Sequence, residues 1–118
     1  MACSVLLLVA AVGCIPPEPT ELIHKGIHQY ELGKLDAAQA TLTQARNIDP
    51  GNPVAMYYLG RVYHAQGYYE MAIYYYQSCL DLRPAYPTAR EYLDQARQDA
   101  GKTGEKLQFM PPAPPAEE

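Results

Sequence analysis

The sequence predicts an all-α chain, two helical hairpins followed by a single closing helix, and three observations predict it. Prolines recur at one step of 34 residues, as Pro19, Pro53 and Pro87 and again as Pro16, Pro50 and Pro84. Glycines keep the same step, as Gly33, Gly67 and Gly101, each fourteen residues behind a proline of the first set. Beyond position 19 the apolar residues keep helical spacing, and no alternating run is bounded by Asn-Gly or Asp-Gly turns of the kind that join strands. A proline at the first helical position loses nothing, because that N–H is unpaired in any helix and its φ is already near the helical value. A glycine supplies the left-handed residue that ends the first helix of each pair.

These marks set each element in order. The first pair is expected over Pro19 to Leu32 and Leu35 to Asn47, and the second over Pro53 to Gln66 and Tyr68 to Leu82. The closing helix runs from Pro87 to Ala100. Ala89, Tyr92, Leu93, Ala96 and Ala100 share one of its faces, with Arg90, Glu91, Asp94, Arg97, Gln98 and Asp99 elsewhere. Such an amphipathic helix suits the end of a stack, where one apolar face needs covering.

The central unit reads Met56-x2-Leu59-Gly60-x2-Tyr63, then Ala72-x3-Tyr76, then Pro84. It resembles the tetratricopeptide repeat, whose pattern is W-x2-L-G-x2-Y, A-x3-F and P, with Met in place of Trp. Gly60 and Ala72 are small where the two helices of a pair cross. The preceding unit is in phase through Leu22, Gly26, Gly33, Ala38, Leu42, Ala45, Ile48 and Pro50, but Lys25 and Gln29 stand in the Leu and Tyr slots. The resemblance implies a short α-solenoid over residues 19–101, with repeats at 19–52 and 53–86 and a capping helix at 87–101. Two full repeats fall below the usual minimum of about three, so a homo-oligomer or a partner is expected to complete the stack.

Residues 1–13 stand apart from this fold. Their apolar run, Val5 to Val12, is shorter than the roughly 20 residues that span a bilayer and reads as the core of a signal peptide. Its end, Ala11-Val12-Gly13-Cys14, resembles a bacterial lipobox. That resemblance implies a lipidated Cys14 at the mature N-terminus, a short linker at 14–18 and a membrane anchor. Ile15 after the cysteine resembles the outer-membrane class of Gram-negative lipoproteins. A plain secretory signal, an uncleaved anchor, a start that lies further upstream, and a cytoplasmic protein are the alternatives. With Cys3 removed and Cys14 lipidated, Cys79 remains alone and no intramolecular disulfide forms in the mature chain. Cys79 falls 34 residues after Ala45, in a slot for a small buried residue.

A formal charge of -4, with Lys and Arg spread singly, excludes the basic stripe of a nucleic-acid binder. No nucleophile elbow, phosphate loop or carboxylate pair can be read, so neither an enzyme nor a cofactor is expected. His24 and His28, four apart and flanked by Glu21 and Glu31, form a weak metal candidate, since an exposed polar helix face has the same composition. Tyrosine is more informative: eight of the eleven lie between Tyr57 and Tyr76, in a chain with no Trp and one Phe. Tyr63 and Tyr76 fill core slots of the repeat. By the family's geometry the first helix of each repeat lines a concave groove, which assigns to it Ile23, Ile27 and Tyr30, then Val54, Tyr57, Arg61 and His64, then Glu91, Gln95 and Gln98. Tyr and Arg carry interface energy disproportionately; packing filler between helices is the other account of the surplus tyrosines.

The function expected is a non-catalytic scaffold or adaptor in the assembly of a cell-envelope complex, its groove holding a segment of another envelope protein. Contact with glycan or peptidoglycan, and a purely structural self-associating role, are the alternatives. Residues 102–118 lose the period and end in Pro111-Pro112-Ala113-Pro114-Pro115-Ala116-Glu117-Glu118. That composition cannot bury a core and is expected to be disordered or extended. Leu107, Phe109 and Met110 could dock on a partner or on the chain's own groove.

Overall fold

A computed structural model of the chain describes Ile15 and residues 17–102. Among the described residues five helices follow one another: α1 (Pro19–Glu31), α2 (Leu35–Ile48), α3 (Pro53–Gln66), α4 (Tyr69–Leu82) and α5 (Pro87–Lys102). No strand occurs among the described residues. The expected signal segment at 1–13, Cys14, Pro16 and everything beyond Lys102 lie outside them.

The helix boundaries follow from local backbone chemistry. Pro19 and Pro53 open α1 and α3 where their missing N–H groups are not needed. Asn52 adds a side-chain cap, its Oδ1 accepting the Val54 N–H at 3.0 Å, which satisfies one of the four orphan donors of the helix start. At the other ends Gly33 and Gly67 take φ of 77° and 85°. Each turn closes with the same two bonds. Gly33 and Lys34 donate to the carbonyls of Tyr30 and Gln29, both at 2.9 Å, as Gly67 and Tyr68 donate to those of His64 and Tyr63 at 3.0 and 2.9 Å. Gly101 departs from the expectation. α5 continues through it to Lys102, and its φ is not positive. The left-handed residue is required where the chain folds straight back into a partner helix, and among the described residues α5 has no such partner.

Packing is serial. Each helix packs on the next, while α1 also touches α3 and α3 touches α5. The three first helices therefore form one layer, with α2 and α4 behind it. The crossing within each hairpin depends on a glycine. A Cβ at Gly60 would stand 2.6 Å from Cδ1 and Cε1 of Tyr76, and one at Gly26 would stand 2.5 Å from Cγ of Leu42. Residues 26 and 60, like 42 and 76, are repeat equivalents, so one close approach is built twice. Ala38 and Ala72 are fully buried in equivalent slots, as are Ala45 and Cys79.

The main core runs from Ala38 and Leu42 through the α3/α4 hairpin to Leu93 and Ala96 of α5, and a smaller cluster joins Leu22, Ile23, Ala45 and Ala55. The first repeat is thinner, for a reason legible in its slots. Lys25 is exposed where Leu59 is buried in the next repeat. Gln29 takes the place of Tyr63, and its Oε1 is buried without a hydrogen-bond partner among the described residues. Between the repeats lies a buried cation the sequence did not announce. Arg46 of α2 is 5% exposed. It donates from Nη1 to the Tyr75 hydroxyl of α4 at 3.0 Å, and the Tyr75 ring stacks on Tyr63 at 5.4 Å and 4°.

Candidate functional site

The layer of first helices brings three aromatic side chains around one cation. Tyr57 and Arg61 are one turn apart on α3, a spacing that places them on the same face, and Arg61 Nη1 donates to the Tyr57 hydroxyl at 2.9 Å. The guanidinium carbon lies 3.8 Å from the centre of the Tyr92 ring of α5, 5.5 Å from Tyr30 of α1 and 5.9 Å from Tyr57. Ring faces carry negative potential, so this cage attracts the charge while the hydrogen bond sets its orientation. All three first helices contribute to it.

Beside the cage, His64 of α3 meets three side chains on two other helices, α4 and α5. Its Nε2 is 2.7 Å from Oδ2 of Asp99 on α5, and its Nδ1 is 3.1 Å from the Tyr76 hydroxyl on α4. Its ring meets Tyr69 edge-on at 5.6 Å. Asp99 also accepts from Gln95 Nε2 at 3.1 Å. The hydrogen bond from His64, with lesser help from that of Gln95, holds the Asp99 carboxyl below the ordinary carboxylate value despite the opposing effect of burial. Burial drives the Tyr76 hydroxyl well above the ordinary phenol value, so it stays protonated at neutral pH. Tyr86, which packs on Tyr57 at 5.0 Å, is pushed up to about 12, chiefly by burial.

Tyr30, Arg61, His64, Ala65, Tyr92 and Gln95 line an open depression of about 280 Å³. The expected groove residues divide into four groups around it. Tyr30, Arg61, His64 and Gln95 line it. Tyr57 is 5% exposed and Ile23 4%, so both lie beneath the surface. Ile27 and Val54 are half-buried against the small cluster of Leu22 and Ala45, and Glu91 and Gln98 are exposed on α5 outside the depression. Tyr92 and Ala65 were not expected there. Tyr92 precedes Gln95 by three residues, one helical turn, and that spacing was the available signal.

His24 and His28 are exposed on α1, and among the described residues no three His, Cys, Asp or Glu side chains gather as a metal site. Cys79 is fully buried, and burial pushes its thiol up to about 11. It is therefore a protonated core side chain at neutral pH, with little nucleophilic thiolate. No helix among the described residues is long and apolar enough to cross a membrane.

Comparison with known families agrees with this geometry. A tetratricopeptide repeat model matches residues 29–73, a span from the end of α1 through α2 and α3 into α4. No curated protein matches the chain. The match and the repeated helical hairpins together support a tetratricopeptide repeat protein. Repeats of this kind are protein–protein interaction modules, generally without catalysis of their own.

Proposed function

We propose that this tetratricopeptide repeat protein is a membrane-anchored lipoprotein that serves as a scaffold or adaptor in a cell-envelope complex, its depression holding a segment of another envelope protein. The observation that carries the interaction is the preorganised Arg61. Its guanidinium is fixed by one hydrogen bond and three rings, so little side-chain freedom remains to be lost when a partner docks. Tyr30 and Tyr92 supply apolar area beside polar hydroxyls, the combination that dominates interface hot spots.

The anchor rests on Ala11-Val12-Gly13-Cys14. A diacyl or triacyl cysteine holds a protein firmly, because each buried methylene contributes about 0.8 kcal/mol while a single chain binds only marginally. Residues 15–18 separate Cys14 from α1, a reach of about 15 Å. That length keeps the start of the helical stack close to the lipid surface and favours partners in or at the membrane.

A photocrosslinking residue at Gln95, followed by mass spectrometry of the adducts, tests the groove in cells. One envelope protein should be enriched, and the adduct should vanish in an Arg61→Ala/Tyr92→Ala variant that keeps its helical circular dichroism. The same adduct from both chains would refute the groove. Labelled palmitate should be incorporated into the wild type and not into Cys14→Ala; no incorporation into either would remove the anchor.

A further inference from the structure

The depression holds a cation, Arg61, that makes no ion pair among the described residues. It spends one N–H on the Tyr57 hydroxyl. Arg61 and the half-buried rings of Tyr30 and Tyr92 line a space of about 280 Å³. That is the small end of ligand-pocket size. It suits a short extended stretch rather than a helix or a folded domain.

The chain itself carries a segment of matching chemistry. Pro111-Pro112-Ala113-Pro114-Pro115 is followed by Ala116-Glu117-Glu118. Proline-rich stretches dock on aromatic-lined grooves because their rings pack on aromatic faces and their backbone has little entropy left to lose. Glu117 and Glu118 bring carboxylates, the groups a guanidinium pairs with most strongly.

We propose that residues 111–118 of the same chain occupy the Tyr30–Arg61–Tyr92 depression, with prolines against the two rings and a glutamate on the guanidinium. The inference rests on the groove reading above and adds to it an internal occupant that a partner must displace. Reach permits it. From Gln95 to the last described residue, Lys102, α5 advances about 10 Å, and the nine residues from there to Pro111 extend up to about 30 Å. The segment can therefore turn back onto α5 with slack. Tethering over so short a span gives an effective concentration on the order of millimolar, so a contact too weak to form between separate molecules is populated within one.

The test uses the full chain and a tail variant in which Pro111, Pro112, Pro114 and Pro115 become Ser and Glu117 and Glu118 become Gln, all outside the five helices. Steady-state heteronuclear NOEs should show Ala113, Ala116, Glu117 and Glu118 restrained in the wild type and free in the variant, at every protein concentration. A synthetic peptide of residues 103–118 should bind the variant about tenfold more tightly than the wild type, whose site is already filled. Tail amides that move freely in the wild type would overturn the proposal, as would restraint that disappears on dilution, which assigns the site to the segment of a second copy. Equal peptide affinity for the two chains overturns the internal occupancy alone and leaves the groove reading standing. A restrained tail in a protein whose Gln95 crosslinks ignore Arg61→Ala/Tyr92→Ala supports the occupancy and removes the partner.

Discussion

The guanidinium carbon of Arg61 lies 3.8 Å from the centre of the Tyr92 ring, and this contact joins the second repeat to the closing helix on the inner layer. A cation over a ring face contributes about 0.5–2 kcal/mol depending on desolvation, and the hydrogen bond to Tyr57 adds roughly 1 kcal/mol. Arg61→Ala should therefore destabilise the fold by about 1–3 kcal/mol in urea denaturation. A double-mutant cycle with Tyr92→Ala should show a coupling of about 0.5–2 kcal/mol. Strict additivity would mean that the stacked geometry does not hold the cap.

Gly60 decides how closely α3 and α4 approach. Alanine normally stabilises a helix interior by about 1 kcal/mol over glycine, yet here the added methyl meets the Tyr76 ring at 2.6 Å. That ring is fully buried and its hydroxyl faces His64, so it has no free direction to move. Overpacking costs roughly 1–3 kcal/mol. Gly60→Ala is expected to be neutral to 2 kcal/mol destabilising, and Gly60→Val clearly worse. A rise in melting temperature with Gly60→Ala would show that the crossing has slack. Gly26→Ala should behave in the same way against Leu42, which is also fully buried.

Arg46 makes a buried polar bond between the repeats. Removing it deprives the buried Tyr75 hydroxyl of a charged donor at 3.0 Å and takes away the aliphatic stem that packs beside it. Hydrogen bonds to charged groups contribute about 1.5–3 kcal/mol, and Arg46→Ala should lower stability by about that amount. Tyr75→Phe should cost less, because the ring and its stacking on Tyr63 survive. The reverse order in denaturant midpoints would assign the role to the phenol instead.

Asp99 links stability to acid. Its carboxyl is held below its ordinary value of 3.8 by the His64 hydrogen bond, so the charged form is favoured in the folded state. The sign follows from linkage: this contribution is fully present above 3.8 and is lost as the pH falls through the lower folded value. The stability gap between the wild type and Asp99→Asn should be constant at neutral pH and shrink below pH 3.8. A gap unchanged down to the acid limit would contradict the pairing.

Cys79 should be silent in the native state. Full burial and a thiol raised to about 11 both suppress the thiolate. Peptide mapping after iodoacetamide treatment should find Cys79 unmodified under native conditions and alkylated in urea. Because Ala45 fills the equivalent slot, Cys79→Ala should fold and lose about 1 kcal/mol or less. Rapid native alkylation would reveal an opening of the α3/α4 hairpin.

The sequence by itself determined where the helices begin and end and where they cross. Pro19 and Pro53 set helix starts and Gly33 and Gly67 set helix ends through φ and a missing or permitted Cβ, which depend on the residue alone. Gly26 and Gly60 were readable for the same reason, as small residues in a fixed slot. Gly101 bears the same mark and yet lies inside a helix, because a left-handed residue is needed only where the chain reverses into a partner. Tertiary structure alone decided which side chains form the surface of the groove. Tyr57 and Tyr92 are indistinguishable as residues, but Tyr57 is covered by Tyr58, Tyr86 and Tyr92 and becomes floor, while Tyr92 becomes wall. Arg46, a charged residue, was drawn inside by a hydroxyl 29 positions away. Burial is set by neighbours that arrive from distant parts of the chain, and no local pattern records them.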